Sequence, residues 1–96
     1  MVDLMQFFIN EKGEVTEGGR SNIFIESGGR FFTPKLSSGL LPGVMRQEIL
    51  KKSKFKVEEK TIRANDVYNA DKIYLSNSLR GFFQVQLQEL GNSSEV

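Results

Sequence analysis

Three phenylalanine pairs, Phe7-Phe8, Phe31-Phe32 and Phe82-Phe83, constrain this chain more than any other feature. Each falls in a stretch that reads as a β-strand. Neighbouring residues of a strand point to opposite faces of its sheet, so each pair asks for apolar cover on both sides. With 96 residues the chain can build one modest core and no more. One good helix and one marginal helix cannot supply that cover. The expected fold is α/β (α+β): a mixed, strongly curled, partly barrel-like β-sheet with one main helix packed on it. Further cover is expected from a second domain or subunit. No repeat, linker or low-complexity stretch divides the chain, so residues 1–96 are expected to form a single domain.

Taken in order, Asp3–Asn10 reads as a strand and Asn10-Glu11-Lys12-Gly13 as a turn closed by glycine. Glu14–Gly19 is short and ends in a glycine pair. Asn22–Ser27 and Arg30–Thr33 form a predicted hairpin around Gly28-Gly29, a two-residue loop whose backbone needs positive φ. Val44–Ser53 is a predicted helix, with Met45 and Ile49 on one face and Lys51 and Lys52 at the end where cations suit the dipole. Lys54–Ile62 begins with alternation, placing Phe55 and Val57 on one face. Arg63–Asn69 reads as one or two helical turns. Lys72–Ser76 and Phe82–Leu87 are strands on either side of the loop Asn77–Gly81, and 91–96 are expected to fray.

Composition removes several classes of function. Thirteen basic against twelve acidic residues leave a net charge of +1, which argues against electrostatic binding to nucleic acid or a membrane surface. The lysines of 51–56 read as a solvated helix end running into a strand. Without cysteine there is no disulfide framework or thiolate metal site. Without histidine, zinc sites and Ser-His or Cys-His catalysis are excluded as well. No apolar run is long enough for a membrane span or a signal peptide, so the cytoplasm is the expected compartment.

Chemistry is expected in three places. Around Thr33–Gln47, a small-residue loop leads through Pro42-Gly43 into the helix that starts near Val44. The first amides of a helix have no partner within it and lie at the positive end of its dipole. The first turn here carries Arg46 and no acid, so an external anion such as phosphate would complete it, although an ordinary water-capped junction fits too. Glu17 stands two small residues ahead of the polar turn Arg20-Ser21-Asn22. Its carboxylate could pair with a protonated ring nitrogen of a cofactor, or with Arg20. Asn77 and Ser78 offer neutral donors suited to a phosphate, and Arg80 a fork suited to a carboxylate. Turn formation and capping are their alternative roles.

Together these blocks resemble the signature of the class IV aminotransferase family, the fold-type IV pyridoxal-phosphate enzymes. Glu17 through Asn22-Ile23-Phe24, then Phe31-Phe32-Thr33, then Leu41-Pro42-Gly43-Val44-Met45-Arg46 occur in the family's order with compatible spacing. Tyr74–Gly81 looks like the family's second phosphate-side loop, and the resemblance covers roughly residues 4–88. It implies the C-terminal domain of the D-amino-acid aminotransferase-like fold, with pyridoxal 5′-phosphate as cofactor and no metal. Glu17 would bind the pyridinium nitrogen and keep it protonated. The amides of Val44 and Met45 would hold the phosphate, joined by Ser78 and Asn77, and Arg80 would meet the substrate. Asn22 is expected to brace the turn after Glu17, and Leu41 either to line the ring or to pack the loop.

One departure matters. The family's Schiff-base lysine lies further upstream of the Glu17 motif than the sixteen residues available here. Lys12 does not match that segment, and Lys35 is expected on the surface. The chain therefore reads as the C-terminal part of such an enzyme, inactive alone because no catalytic residue lies in it, from a parent expected to be a homodimer. Arg20-Ser21-Asn22 and Asn77–Gly81 look more like lyase members, which release pyruvate from 4-amino-4-deoxychorismate to give 4-aminobenzoate for folate synthesis. Branched-chain and then D-amino-acid aminotransferases follow as alternatives. From another class, a non-catalytic domain binding phosphorylated ligands through the same helix end would fit.

Overall fold

The computed structural model describes residues 3–17, 21–39, 43–52 and 56–87. Eight strands and two helices follow one another as β1 (Asp3–Met5), β2 (Phe8–Ile9), β3 (Val15–Glu17), β4 (Asn22–Ser27), β5 (Arg30–Pro34), α1 (Val44–Lys52), β6 (Val57–Lys60), α2 (Ala64–Tyr68), β7 (Lys72–Asn77) and β8 (Gly81–Leu87). A single 3-10 turn, Leu36–Ser38, follows β5. Six strands form one mixed sheet in the order β1-β8-β7-β4-β5-β6, and β2 pairs with β3 in a separate ribbon. The pairs β1–β8 and β5–β6 are parallel, and the pairs between them antiparallel. Expectations that fall on Gly18–Arg20, Leu41, Pro42, Phe55 or 91–96 lie outside the described residues.

The expected strong curl is not found. The sheet is open, with β1 and β6 as its edges. Cover comes instead from short elements on the two faces. On one face Ile23, Ile25, Phe32, Ile73, Leu75 and Val85 meet Val15 of β3, Ile62 and Val67 of α2, with Phe7, Phe83 and Leu87 packed at the margin. On the other, α1 lies against β7. Phe24 is fully buried there, and its ring meets Phe82 edge-on at 5.4 Å. Phe82 stacks on Tyr74 at 4.8 Å, and Tyr74 in turn approaches Phe31 at 5.8 Å. Two of the three phenylalanine pairs thus put one ring on each face, as alternation requires.

The long first strand is corrected too. Asp3–Asn10 breaks at Gln6-Phe7, because its two halves join different sheets. Phe7 turns to the core and meets Tyr68 edge-on at 5.7 Å, while Phe8 and Ile9 remain exposed. The turn that follows is built by Asn10. Its side-chain oxygen accepts from the amides of Lys12 and Glu14 at 2.9 and 3.0 Å, and its amide nitrogen donates to the Glu14 carboxylate and the Ser38 carbonyl, both at 2.9 Å. That side-chain bond from Asn10 is the main reason the Glu14 carboxyl is held below the usual glutamate range. Gly13 takes φ of 80°.

The hairpin is as expected. Gly28 and Gly29 take φ of 61° and 78°, the mirror-image turn that matches strand twist, with Ser27 facing Arg30. Asp71 ties the hairpin to β7, accepting from the Gly28 amide at 2.9 Å. Among the described residues no helix is long and apolar enough to cross a membrane, and no group of acids could hold a metal.

The aromatic face carries a titratable contact that can be measured. The Tyr74 hydroxyl donates to Glu26 at 3.2 Å; burial first, and then Glu26, push its pKa above the ordinary tyrosine value. Because the folded state holds this proton more tightly, its contribution is complete below the unfolded tyrosine pKa of about 10 and drains away as pH rises through the folded value. Absorbance titration at 295 nm should therefore show one of the two tyrosines ionising late. Glu26→Gln should bring that midpoint part of the way back, since burial remains. An unmoved midpoint would remove Glu26 from the explanation.

Candidate functional site

At one end of the sheet, the N-terminus of β4, the C-terminus of β7, the end of β3 and the start of α1 converge. They enclose a pocket of about 130 Å³ lined by Glu17, Ser21, Asn22, Gly43, Val44, Met45, Ser76, Asn77 and Ser78. That is less than the roughly 300–1,000 Å³ of a site enclosing a whole small-molecule ligand, and suits one end of it. Five of the six residues expected to bind cofactor or substrate come together here: Glu17, Val44, Met45, Asn77 and Ser78. They are drawn from three distant stretches of the chain.

The positive pole of the pocket is backbone. The first α-helical bond in α1 runs from the Gln47 amide to the Gly43 carbonyl at 3.1 Å, so the amides of Val44, Met45 and Arg46 precede the helix's own bonding pattern. The first turn contains no acidic side chain. Val44 lines the pocket although the residue as a whole is 70% exposed. The negative pole is the carboxylate of Glu17, at the end of β3.

Arg46, which follows directly in the first turn, is fully buried and turned elsewhere. Its guanidinium donates to the Pro34 carbonyl at 2.9 Å and to the Glu59 carboxylate. It does not line the pocket, so among the described residues any pull on an anion there comes from the helix end and not from an arginine.

Asn77 lines the pocket with both ends of its amide already bonded, one within the loop and one to the turn before β4. Its oxygen accepts from the amides of Leu79 and Arg80 at 3.0 and 2.7 Å, and its nitrogen donates to Ser21 Oγ at 2.8 Å. The turn-forming alternative for Asn77 is therefore realised. Arg80 does not line the pocket: its guanidinium lies over the Phe83 ring at 4.0 Å. Phe83 belongs to the core side of the sheet, and an aromatic ring is a good seat for an arginine fork. Lys12 and Lys35 are both exposed, and no lysine is among the residues lining the pocket.

Besides Asn22, expected as a brace, three lining residues carried no expectation as ligands. Ser21 was legible only as part of a polar turn. Ser76 looked like the end of a strand, and its place at the β7 terminus was the available signal. Gly43 was legible as a helix entrance, but its reason is spatial. A Cβ there would run into Asn22 Oδ1. Asn22 is buried at 6% exposure, so it cannot simply swing aside. Its side chain stands against Gly43 at the entrance of α1, and the turn after Glu17 that it is expected to brace lies outside the described residues.

The profile of the Amino-transferase class IV family matches residues 5–87. A protein named as a branched-chain-amino-acid aminotransferase from Thermotoga maritima is 34% identical over 77 residues, covering 77% of this chain and 28% of its own length. A Legionella pneumophila structure described as a 4-amino-4-deoxychorismate lyase superposes with a TM-score of 0.81 at 29% identity, over 90% of this chain and 34% of that one. The Escherichia coli branched-chain amino acid aminotransferase gives a TM-score of 0.77 at 25% identity, over 86% and 30%. The chain thus spans about a quarter to a third of the length of these relatives.

The contact between Gly43 and Asn22 can be tested directly. Gly43→Ala should cost about 1–3 kcal/mol in urea unfolding, as overpacking does. In the Asn22→Ala background the same change should cost distinctly less, because the colliding oxygen is gone. Strictly additive losses would show that the two residues do not meet.

Proposed function

The chain belongs to the amino-transferase class IV family, and we propose that it forms the part of a pyridoxal 5′-phosphate site that holds the cofactor's ring nitrogen and phosphate. The observation that carries this reading is the pairing of opposite poles in one small pocket. A helix start with no acidic side chain in its first turn suits a phosphate, and a carboxylate suits a protonated nitrogen at the other end of the same ligand. A pocket for phosphate alone would gain nothing from Glu17.

The residues present fit the cofactor. The amides of Val44 and Met45 would hold the phosphate, with the Ser78 hydroxyl beside them. Glu17 would accept a hydrogen bond from the ring nitrogen and keep it protonated. Asn77 and Asn22 act one step back: Asn77 shapes the loop that carries Ser78, and Asn22 sets the position of Gly43. When bound, pyridoxal phosphate supplies an electron-withdrawing ring that takes up the electron pair of a bond broken in the substrate. The reactive amine would come from a lysine other than Lys12 and Lys35, which makes this chain a cofactor holder, inactive without that group. Arg80 would have to leave Phe83 to meet a substrate carboxylate.

Of the family's activities we favour 4-amino-4-deoxychorismate lyase. What supports it is the Asn77-Ser78-Leu79-Arg80-Gly81 loop together with the likeness to the Legionella structure. Branched-chain aminotransferase is the second reading, favoured by the names of the curated relatives. Joining this chain to the lysine-bearing part of a relative should yield release of 4-aminobenzoate. Transamination of branched-chain substrates without that release would reverse the order.

Cofactor holding is tested on the chain itself by NMR titration with pyridoxal phosphate and, in parallel, inorganic phosphate. Amides of Val44, Met45 and Ser78 should shift with both ligands, and the region of Glu17 with pyridoxal phosphate alone. Glu17→Gln should weaken pyridoxal phosphate by roughly tenfold, the value of a charge-assisted bond, and leave inorganic phosphate unchanged. Equal affinity for both ligands, indifferent to Glu17, would leave only a generic anion site.

A further inference from the structure

We infer that Ser76 is an additional phosphate-binding group, its hydroxyl donating to a phosphate oxygen of the ligand held at the start of α1. The inference rests on the reading of the pocket as a phosphate site and names a residue that neither the signature nor the loop Asn77–Gly81 singles out for this role. Among the described residues, two buried side-chain polar atoms have no hydrogen-bond partner: Arg46 Nε and Ser76 Oγ. Arg46 lies away from the pocket, and another nitrogen of its guanidinium is bonded to Pro34 and Glu59. Ser76 is fully buried and lines the pocket.

The register of the sheet says where its side chain points. Ser76 stands directly opposite Asn22 across the β4–β7 pair, and facing residues of a pair share a face of the sheet. Asn22 projects from that face onto Gly43, at the start of α1. Ser76 Oγ is therefore aimed towards the same end of α1 as the amides of Val44 and Met45. Its other cross-strand neighbour, Phe82, offers only an aromatic side chain. Two residues earlier on the same face, the Tyr74 hydroxyl does have a partner, Glu26, so this face does satisfy a hydroxyl where no ligand is needed. A buried hydroxyl normally finds a partner, and one left without any in a residue that lines a pocket is suited to an acceptor brought in from outside. A phosphate supplies such acceptors, and the hydroxyl is a donor that adds no charge next to Glu17.

The test compares the 96-residue chain with its Ser76→Ala, Ser76→Cys and Ser78→Ala variants, measuring affinity for inorganic phosphate, pyridoxal phosphate and pyridoxal alongside thermal melting without ligand. Ser76→Ala should weaken both phosphate-bearing ligands by roughly tenfold and leave pyridoxal unchanged. Its melting temperature should hold or rise, because an unpaired buried hydroxyl has been removed. Ser76→Cys keeps a similar volume with a weak donor, so its affinity should fall between the two, and it serves in place of the alanine variant if that one does not fold. Unchanged phosphate affinity in Ser76→Ala with a lowered melting temperature would overturn the inference in favour of a structural hydroxyl bound to buried water. If Ser78→Ala then still loses phosphate, the site stands and only Ser76 falls. Failure of the unaltered chain to take either phosphate ligand at millimolar concentration would overturn both readings together.

Discussion

The structure depends on β4 being covered on both faces. Its residues Asn22, Ile23, Phe24 and Ile25 are all buried, and it is paired on one side with β5 and on the other with β7. Ile23 and Ile25 enter the main core, where full burial of such a side chain is worth about 1.5–3 kcal/mol. Phe24 and Asn22 take the opposite face. The strand is also tied laterally, since Thr33 Oγ1 donates to the Ile23 carbonyl at 2.7 Å inside the protein. A strand held this way has little freedom to rotate or slip, because a one-residue shift would exchange its two faces. The position of Asn22 at its end, and with it the place of Gly43 and the start of α1, follows from that rigidity.

A second constraint is the buried arginine at the helix start. Placed in the first turn of α1, Arg46 would seem suited to an anion in the pocket. Burial decides otherwise. A guanidinium removed from water needs fixed acceptors, and Arg46 finds them in the Pro34 carbonyl and in Glu59, which itself remains 44% exposed. The interaction joins α1 to the ends of β5 and β6 and so orients the helix. The pocket is left with an electrostatic pull made of amide dipoles, which is weaker than a full charge but fixed in direction.

What could be read in the sequence was what short-range chemistry decides. Gly28-Gly29 announced the hairpin, and Lys72–Ser76 read as the strand that became β7. The site was legible in outline because Glu17, Val44, Met45 and Ser78 occur in blocks whose spacing matches a known signature. The parts that were missed depend on contacts between distant residues. Asp3–Asn10 is continuous by pattern, yet its halves join β8 and β3, partners that lie far apart in the chain and adjacent to it respectively. The phenylalanine pairs stated that both faces must be covered but not that α1, α2 and a two-stranded ribbon would do so without closing the sheet. Arg80 could be read as a carboxylate fork, and nothing local revealed that Phe83 would hold it. Ser76 falls inside the Tyr74–Gly81 block but reads there as the end of a strand, and only the β4–β7 register places it opposite Asn22 at the pocket.

The way the pocket is built also says which of its positions can vary. Val44 lines the pocket yet is largely exposed, so a change of side chain there disturbs little packing as long as the chain can enter a helix. Gly43 is different, since any side chain would meet Asn22. Asn77 is different again: its amide oxygen organises the loop and its nitrogen ties the loop to Ser21, and an aspartate in its place would lose the donor to Ser21 while keeping the acceptor for Leu79 and Arg80. Among the described residues Glu17 is the only charged one at the pocket wall. A site divided this way separates holding from tuning. On the proposed reading, the helix end and the hydroxyls would fix where a phosphate sits, and the Glu17 carboxylate would set the protonation of the ring attached to it. Changing the carboxylate would then alter the chemistry available at the ring without dismantling the place where the phosphate is held.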